Sequence, residues 1–597
     1  MRFVFDIECD GLKPTHIWCC VCYNPDTKAF RCFHEGDEQA CRDYFNEAEQ
    51  VISFNGIQFD AHVLKKLWDV DIPISKHYDV IVASRLADPK REGGHSLRSF
   101  GERTGTYKGE WNDWSCWSEG MESYCKGDCL TTWAAYGLVQ SELAGFSLFS
   151  IQLEMRSQWI LSKQHYNGFD FDMEAALALK NKMMDEYFPL IQKLQEAFPP
   201  RKTLIGQYQA RRKQNGELTA KSAEIVLRPT VEPTDTPDLY NVFEFKEFII
   251  DSPSEIRERM APYWHPVIWN KPTKDGTVTA KVCDANLETV GEDAPEEIKN
   301  IVRCKILKSR STLVQSFIDA CWEDGRVHGD VISVGASSHR MAHRNPNTAN
   351  IPSDKSLYGE ECRALFRAPE GKVIVGCDLA GIQLRALAHY LKDPELINQI
   401  LTGDIHVHMA KIYGLIPEDA VYDETIKEHK MARKTGKTIT YAILMGAGAG
   451  KIGQILGKDA KAGREVMDRM ESGLHGWATF KANIETRAKL GWFPALDGRR
   501  VKLLNAHLGV SYYLQSFEQA IIKLAMYKYH QKLTKAGVYF KQVSVVHDEF
   551  QVECNPEDAE LVGKTIAESM KEAGEFFKVR IPIDGEYKIG LNWKETH

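Results

Sequence analysis

The sequence predicts a multidomain fold that combines α/β and α+β units. The chain has 597 residues, which corresponds to about four domains at ~150 residues per domain. Hydrophobic residues make up 43% and charged residues 26%, which excludes a mainly disordered or fibrous protein. Short strand-like runs alternate with helical patterns in residues 1–145, and strands are mixed with long helices from about 325 to 597.

Charge, hydropathy and cysteine content narrow the function class. The formal net charge of -8 argues against a general polyanion binder, although a local basic groove can still bind phosphate. No apolar stretch approaches the ~18 residues of a membrane span, and residues 1–8 lack a signal-peptide pattern, so we expect a cytoplasmic protein without membrane contact. Fifteen scattered cysteines predict reduced thiols rather than a disulfide framework.

Residues 199–251 differ from their surroundings. The segment is rich in proline and shows little periodicity, and its first half, 201–228, carries seven Lys or Arg residues against two acids. We interpret it as an insertion or a mobile subdomain. Two alternatives stay open for the basic half: a solvated loop, or a basic arm that binds nucleic acid or a partner.

A first group of acids lies in the N-terminal α/β region. Asp6 and Glu8 are two apart in a strand-like run, so both carboxylates share one face. Asp60 follows a turn after another apolar strand, and Tyr124 and Asp128 share one helix face at i and i+4. Four acids and a tyrosine can hold two Mg²⁺ ions and orient a water for attack on a phosphodiester. The alternative is a set of surface acids on an ordinary α/β domain.

A second group of acids lies in the C-terminal half. Asp378 ends a buried strand-like run, and Asp548 and Glu549 form the polar tip between two strand-like runs. An acid pair at a hairpin tip is exposed and can reach the strand-end acid of another element. A two-metal site requires Asp378 and Asp548 to converge, although they lie far apart in the sequence.

A predicted helix between these acids carries a polar stripe. Arg433, Lys437, Tyr441 and Met445 are four residues apart, so they share one face. Two cations and an aromatic ring on one stripe suit a nucleoside triphosphate, because the cations neutralise phosphates and the ring packs near the sugar and base. The alternative is a solvated amphipathic helix with Tyr441 in the core.

The motifs resemble two known families. The N-terminal acids and tyrosine resemble the DEDDy class of 3′→5′ exonucleases, in the order and spacing of a polymerase proofreading domain. The C-terminal motifs, at 378–385, 433–446 and 546–549, resemble family A DNA polymerases, the class of DNA polymerase I. Details at 359–364 and 446–448 are similar to replicative polymerases of short-tailed bacteriophages. The resemblance covers nearly the whole chain except 199–251, with supporting matches at 339–340, 345–352, 403–406 and 496–500.

The resemblance implies an RNase H-like exonuclease domain followed by a right-hand polymerase of palm, fingers and thumb. It places the exonuclease domain at 1–145, the thumb at 146–330 with the insertion 199–251, the palm at 331–400 and 491–597, and the fingers at 401–490.

The resemblance also implies the roles of individual residues. In the exonuclease domain, the implied metal ligands are Asp6, Glu8, Asp60 and Asp128, with Tyr124 as the residue that orients the water. In the palm, Asp378, Asp548 and the backbone carbonyl of Leu379 would hold two Mg²⁺ ions, with Mn²⁺ as a substitute, and Glu549 would support them. The implied nucleotide-binding residues are His406, Arg433, Lys437, Tyr441 and Gln383, and the implied contacts to the primer–template minor groove are Arg340, Gln515 and His547.

We therefore expect a DNA-directed DNA polymerase that adds dNTPs to a primer 3′ end, proofreads with a 3′→5′ exonuclease and replicates phage DNA in the host cytoplasm. Two alternatives remain: a single-subunit RNA polymerase, and a 3′→5′ exonuclease on an inactive polymerase-like scaffold. The expected partners are primer–template DNA, dNTPs, a thioredoxin-like host processivity factor at 199–251 and a replicative helicase–primase.

Two positions differ from the usual residue of the family, and a third carries one of two residues that the family uses there. Gln383 replaces the family's usual Glu, which keeps the bulk that blocks a ribose 2′-hydroxyl but loses the charge, so we expect ribonucleotides still to be rejected. Met445 replaces a second tyrosine where the template base is expected to stack. Tyr441, rather than Phe, predicts ready acceptance of dideoxynucleotides, because its hydroxyl can replace the missing 3′-OH.

Overall fold

The computed structural model describes residues 1–106, 109–266, 268–291 and 293–597. The chain divides into two compact units, Met1–Asp172 with Asp319–His597 and Met173–Ile318. These units are coarser than the five predicted segments, so the division into exonuclease, thumb, palm and fingers stays a prediction. Among the described helices, none combines the length and the apolar character needed to cross a bilayer. The fifteen cysteines all lie in described parts of the chain and form no disulfide, as their scattered positions predict.

The N-terminal part is a five-stranded sheet with helices, as the strand–helix alternation predicts. The sheet order is β3-β2-β1-β4-β5; β1 is antiparallel to β2 and parallel to β4. The central strand β1 is buried along most of its length, so the packing around it fixes the positions of its polar residues. The elements are β1 (Arg2–Cys9), β2 (Ile17–Asn24), β3 (Ala29–Phe33), α1 (Glu38–Asn46), β4 (Gln50–Ser53), α2 (Asp60–Trp68), β5 (His77–Asp79), α3 (Val80–Ala87), α4 (Leu97–Thr104), α5 (Glu119–Glu142), α6 (Leu148–Asn167) and β6 (Phe169–Asp170).

The second unit contains a small sheet that the sequence does not predict. The elements are α7 (Met173–Ala197), β7 (Arg201–Gln209), α8 (Ala220–Val226), β8 (Val231–Pro233), β9 (Leu239–Lys246), α9 (Pro253–Met260), α10 (Asp284–Leu287) and α11 (Glu296–Ala320). The order is β7-β9-β8, with both pairs antiparallel, so 199–251 is an ordered subdomain and not a loop. Five of the seven basic residues of 201–228 form ion pairs, Arg201 with Glu258, Lys202 with Glu232, Arg212 with Asp238, Lys213 with Glu217 and Arg228 with Glu224.

The C-terminal part is built on a four-stranded antiparallel sheet of order β16-β17-β13-β18. Residues from its strands and from α20 and α21 share one large buried cluster. The elements are β10 (Arg326–Val327), β11 (Asp330–Ile332), β12 (Ala342–Arg344), α12 (Gly359–Ala364), β13 (Val373–Leu379), α13 (Ile382–Leu391), α14 (Pro394–Thr402), α15 (Ile405–Ile412), α16 (Lys427–Leu444), α17 (Ala449–Ile455), α18 (Ala460–Gly473), α19 (Trp477–Leu490), β14 (Trp492–Pro494), β15 (Arg500–Lys502), α20 (Gly509–Ala536), β16 (Phe540–Val546), β17 (Glu549–Cys554), α21 (Ala559–Phe576) and β18 (Gly585–Gly590).

Four buried charges tie helix α6 to helix α20. Glu154 accepts from Lys523 at 2.7 Å and pairs with Arg499 at 2.8 Å, and Arg499 also pairs with Asp497 at 2.6 Å. All four side chains are fully buried and their charges balance. Removing one partner of such a set leaves an uncompensated buried charge, which typically costs about 3–5 kcal/mol. The network therefore fixes the helix that follows the N-terminal sheet against the C-terminal sheet's main helix.

Two candidate active sites of clustered carboxylates

The first carboxylate cluster is centred on strand β1. Oxygens of Asp6 and Glu8 and the Sγ atom of Cys125 all lie within 4.8 Å of one another, so the two acids share one face as the period-two spacing predicts. Cys125, on α5, was not identified from the sequence. Its thiol lies 3.4 Å from Asp6 Oδ2, and burial followed by nearby groups raises its pKa well above the ordinary value. It therefore acts as a hydrogen-bond donor to the acid rather than as a thiolate.

A buried aspartate that sequence reasoning missed holds the turn between β4 and α2. Asp79 accepts hydrogen bonds from the backbone N–H groups of Asn55 at 2.9 Å and Ile57 at 3.0 Å, and it caps α3 through Ile81 N–H at 3.0 Å. Asn55 has φ 66°, and a Cβ at Gly56 would collide with a side chain of β4. The one available signal was an acid directly before an apolar helix, which is an N-cap pattern.

This turn delivers Asp60 to the acids of β1. Asp60 is the first residue of α2 and is buried. Burial is the main cause that raises its pKa to about 7, the charges of Asp79 and Glu8 add to it, and the Ile7 N–H donates a hydrogen bond that lowers it. The hydrogen bond from Ile7 and the influence of Glu8 place Asp60 beside β1, next to the first two acids.

Helix α5 carries the remaining two predicted residues. Tyr124 is half-buried and Asp128 is buried, one helical turn later on the same face. Burial, then the charges of Asp6 and Asp128, raise the pKa of the Cys129 thiol, so both acids lie near this cysteine. An oxygen-rich set of this kind suits a hard divalent cation. On the side of β2, Trp114 Nε1 donates to Glu8 Oε2 at 3.0 Å.

The second cluster forms where the hairpin β16–β17 pairs with β13. Asp378 lies opposite Glu549 in the antiparallel register, and the two-residue turn of the hairpin is His547-Asp548. Leu379 N–H donates to the backbone carbonyl of Asp548 at 3.2 Å. The two aspartates that the sequence leaves far apart therefore converge, because the strand register fixes their backbones side by side.

Desolvation and like charge shape the chemistry of these aspartates. Partial burial, followed by the charge of Glu549, raises the pKa of Asp378 to about 6. For Asp548, burial and then the charges of Glu518 and Asp378 raise the pKa to about 8. Both carboxylates thus carry a repulsion that a bound divalent cation would relieve, and their oxygens are the donors that Mg²⁺ takes.

Glu549 is engaged by the C-terminal segment, which the sequence did not link to the site. Trp593 Nε1 donates to its Oε1 at 2.8 Å, His597 Nδ1 lies 2.9 Å from its Oε2, and Gln551 Nε2 also donates to Oε1. Its carboxylate is therefore largely occupied by hydrogen bonds. This arrangement fits a supporting acid better than a principal metal ligand. The side chain of Glu549 is buried, whereas that of Asp378 is exposed.

The predicted stripe on α16 is present and lies close to a second helix. Arg433 Nε donates to Asp404 Oδ2 at 2.7 Å, and Asp404 also caps α15 by accepting from the backbone N–H of His406 at 3.0 Å. Burial, then the charges of Lys437 and Arg433, lower the pKa of His406 to about 4, so its imidazole is neutral near pH 7. The rings of His406 and Tyr441 have centroids 6.2 Å apart.

Burial, and then the charge of Asp548, raise the pKa of Tyr441. The tyrosine therefore lies within electrostatic reach of the carboxylate cluster. The half-buried ring packs partly against the large C-terminal core cluster and is partly open to solvent, so its ligand-facing role stays a prediction.

The three predicted minor-groove residues lie on or close to helix α20. Arg340 binds the buried Glu518 with Nε–Oε1 3.0 Å and Nη2–Oε2 2.7 Å. Gln515 Nε2, on α20, lies 3.7 Å from the sulfur of Met445, so this methionine contacts α20. His547 is exposed in the turn of the hairpin. Glu518, which touches one of these residues, was not identified from the sequence.

We predict that Asp548→Asn stabilises the metal-free protein. The folded-state pKa of Asp548 is raised, so the folded chain binds more protons than the unfolded chain between about pH 4 and 8, and ionisation reduces stability as pH rises through that window. The asparagine removes this penalty, by about 2 kcal/mol at pH 8 after allowance for solvent access, and by less at pH 5.

Thermal unfolding midpoints in EDTA at pH 5 and pH 8 measure the effect. Glu471→Gln, on an exposed position of α18, is the control and should show no pH-dependent gain. Addition of Mg²⁺ should narrow the difference, because the wild-type carboxylates then have a counterion. An equal midpoint gain at both pH values would contradict the prediction.

Comparisons with known proteins agree with this architecture. A family model described as DNA polymerase family A matches residues 234–595, and a model of the RNase_H superfamily matches residues 3–96. The fold is similar to a solved structure, the POL domain of Pol1 from M. smegmatis in complex with DNA primer–template and dNTP. The TM-score is 0.75 at 18% identity, over 100% of this chain and 96% of that one, which shows the fold alone.

Curated relatives include full-length phage enzymes. The chain is 28% identical to the DNA-directed DNA polymerases of Enterobacteria phage T3 and Escherichia phage T7, over 100% of both chains in each case. It is also 28% identical to DNA polymerase I of Aquifex aeolicus, over 50% of this chain and 51% of the relative. Since the polymerase family model spans more than half of its residues, the chain belongs to DNA polymerase family A.

Proposed function

We propose that this DNA-directed DNA polymerase extends a primer 3′ end with dNTPs by a two-metal mechanism and proofreads with 3′→5′ hydrolysis in its N-terminal domain. We propose replication of phage DNA as its role. The observation that carries the proposal is the convergence of Asp378 and Asp548 through the pairing of β13 with β17. The separate acidic cluster on β1 supports the second activity.

In the polymerase site, Asp378, Asp548 and the backbone carbonyl of Leu379 would hold two Mg²⁺ ions, for which Mn²⁺ can substitute. When bound, divalent ions would lower the pKa of the primer 3′-hydroxyl and neutralise negative charge on the leaving pyrophosphate. The chain contributes the fixed positions of these donors, since the register of two paired strands holds both aspartates. Glu549 contributes negative charge next to Asp378 while its own oxygens stay hydrogen-bonded.

The face of α16 would bind the incoming nucleotide. Arg433 and Lys437 neutralise the triphosphate, and the neutral imidazole of His406 can donate one hydrogen bond to it. Asp404 holds the Arg433 guanidinium by its Nε atom, which leaves the terminal nitrogens for phosphate oxygens. Tyr441 would stack beside the sugar, with its hydroxyl near the metal-binding acids.

In the N-terminal domain, Asp6, Glu8, Asp60 and Asp128 would hold the metal ions of the exonuclease, and Tyr124 would orient the attacking water. The raised pKa of Asp60 and the close approach of Asp6 and Glu8 fit a set of acids that requires a cation for full ionisation. The proposed DNA contacts are Arg340, Gln515 and His547, which would face hydrogen-bond acceptors common to all base pairs in the minor groove.

Two sets of substitutions should separate the activities. Asp548→Ala should abolish primer extension and leave 3′→5′ degradation, because it removes one of the two carboxylate ligands of the polymerase site. Asp6→Ala/Glu8→Ala should abolish degradation and leave extension. Each loss should be about 10³-fold or more, since a metal ligand supplies several kcal/mol of transition-state stabilisation.

A labelled primer on a template, with and without dNTPs, measures both activities, and each variant is the control for the other. A chelator should stop both. Extension that survives in Asp548→Ala would contradict the polymerase assignment. Degradation with no extension in the wild type would support the inactive-scaffold alternative, and extension only with ribonucleotides would support an RNA polymerase.

We predict that Tyr441→Phe raises discrimination against dideoxynucleotides. The tyrosine hydroxyl can replace the hydrogen bond of the missing 3′-OH, and loss of one such bond corresponds to a change of about tenfold. Chain-termination efficiency of ddNTP against dNTP measures the effect. Tyr413→Phe is the matched control, since the Tyr413 hydroxyl bonds Thr440 at 2.9 Å in the core. Equal termination by Tyr441→Phe and the wild type would contradict the prediction.

We also propose that the insertion 199–251 contacts a thioredoxin-like host processivity factor, and that a replicative helicase–primase acts with the enzyme. The insertion is an ordered sheet with exposed apolar side chains, among them Leu204, Ile205 and Phe245. Most of its basic residues are already paired with acids, which favours a protein partner over a basic arm for DNA.

Bacterial thioredoxin should lengthen the product made per binding event by the wild type, and Leu204→Ser/Ile205→Ser should reduce that gain. The exposed apolar residue Leu561, on α21, provides the control variant Leu561→Ser, which should respond as the wild type does. Extension on a singly primed template with a trap for dissociated enzyme measures product length. No response of the wild type to thioredoxin would contradict this partner.

A further inference from the structure

A buried acid links two of the predicted substrate-binding residues. Glu518, on α20, is 1% exposed and lies between Arg340 and Gln383. Arg340 binds it through two nitrogens at 3.0 and 2.7 Å, and Gln383 Nε2 donates to its Oε2. Gln519 Nε2 adds a longer contact to Oε1 at 3.4 Å. The acid thus joins a proposed primer contact to a proposed nucleotide contact.

This contact dictates which way the Gln383 amide points. A carboxylate only accepts hydrogen bonds, so Gln383 must present its NH₂ group to Glu518. The opposite end, Oε1, is buried and has no hydrogen-bond partner among the described residues. An acceptor buried without a partner is unfavourable, and it persists here because Glu518, itself held by Arg340, binds the NH₂ end of the amide.

The same contact explains the amide at position 383. A glutamate there would place a second carboxylate against buried Glu518, and two like charges at that distance cannot both ionise in a desolvated site. In the described part of the chain, the guanidinium that pairs with Glu518 is that of Arg340, a single positive charge. The geometry therefore favours a neutral residue that donates to Glu518, and glutamine has both properties.

We propose that Glu518 is a positioning residue that orients the Gln383 amide as a gate against ribonucleotides and couples it, through Arg340, to the primer end. This inference rests on the proposed function, since it takes Gln383 to face the sugar of the incoming nucleotide. The discriminated substrates are a dNTP and the rNTP of the same base. Glu518 itself touches neither substrate.

Substitution of Glu518 should lower sugar selectivity more than it lowers dNTP incorporation. In Glu518→Ala the Gln383 amide loses its acceptor and can turn, so the ratio of incorporation efficiencies, dATP over ATP, should fall about tenfold, the effect of one lost hydrogen bond. In Glu518→Gln, which keeps an acceptor but removes the charge, the ratio should fall less. This variant also tests the proposal if the alanine variant does not fold.

A charge-swap variant gives a readout that a merely structural role would not move. Gln383→Glu alone should reduce dATP incorporation at least tenfold, because two carboxylates then face each other. Gln383→Glu/Glu518→Gln should recover both incorporation and selectivity, because it restores one acid and one amide in exchanged positions. Such recovery is the signature of direct coupling between two residues in contact.

Glu553→Gln is the matched control for loss of a buried acid. Glu553, on β17, is buried and pairs with Arg326 at 2.6 Å, away from the nucleotide contacts. The Glu553→Gln variant should have a lower unfolding midpoint than the wild type but the same ratio of dATP to ATP incorporation efficiencies.

Single-nucleotide incorporation kinetics on all these variants decide between the outcomes. If the wild type does not extend a primer, the proposed function fails. If the wild type extends and discriminates, two results overturn this inference alone: an unchanged ratio in both Glu518 variants, or a charge swap no better than Gln383→Glu. A fall of the ratio in the Glu553→Gln control equal to that in Glu518→Ala would likewise overturn it.

Discussion

Repulsion between carboxylates is the constraint around which the C-terminal half is organised. Asp378, Asp548 and Glu549 are brought together by the pairing of β13 with the hairpin β16–β17, and burial, followed by the charges of neighbouring carboxylates, raises the pKa values of both aspartates. Backbone hydrogen bonds and the buried core beneath the sheet outweigh this repulsion. Trp593 and His597 satisfy Glu549, so the charge left for a cation is concentrated on the two aspartates.

The N-terminal half reaches a similar electrostatic result with different elements. There the central strand β1 holds two acids by local periodicity, and Asp79 ties the backbone of the turn that brings Asp60 beside them. Within the first compact unit, the buried pairs of Glu154 with Lys523 and Arg499 join α6 to the C-terminal core. Buried charges that are paired therefore stabilise the packing of the helices. Buried carboxylates whose pKa values are raised by desolvation and like charge lie at the two candidate sites.

The departure at Gln383 becomes understandable only in its surroundings. In the sequence motif alone, glutamine at this position is a loss of negative charge. In the folded chain a carboxylate is supplied instead by Glu518, on α20, which accepts a hydrogen bond from Gln383 and pairs with Arg340. A substitution at one position of a site is therefore best interpreted together with the buried charges that it faces.

The sequence by itself determined whatever depends on local backbone geometry. The period of two on β1 and the spacing of four on α5 and α16 place Asp6 with Glu8, Tyr124 with Asp128 and Arg433 with Lys437, because helix and strand repeats fix which residues share a face. Only the tertiary structure decided the convergence of Asp378 with Asp548 and the involvement of other residues that no motif marks, namely Asp79, Cys125, Glu518, Trp593 and His597. Sheet register and helix packing between distant segments set these contacts. The strands of 199–251 were not predicted. Strand β7 has little buried surface, so its sequence lacks the alternation of apolar and polar residues that indicates a strand.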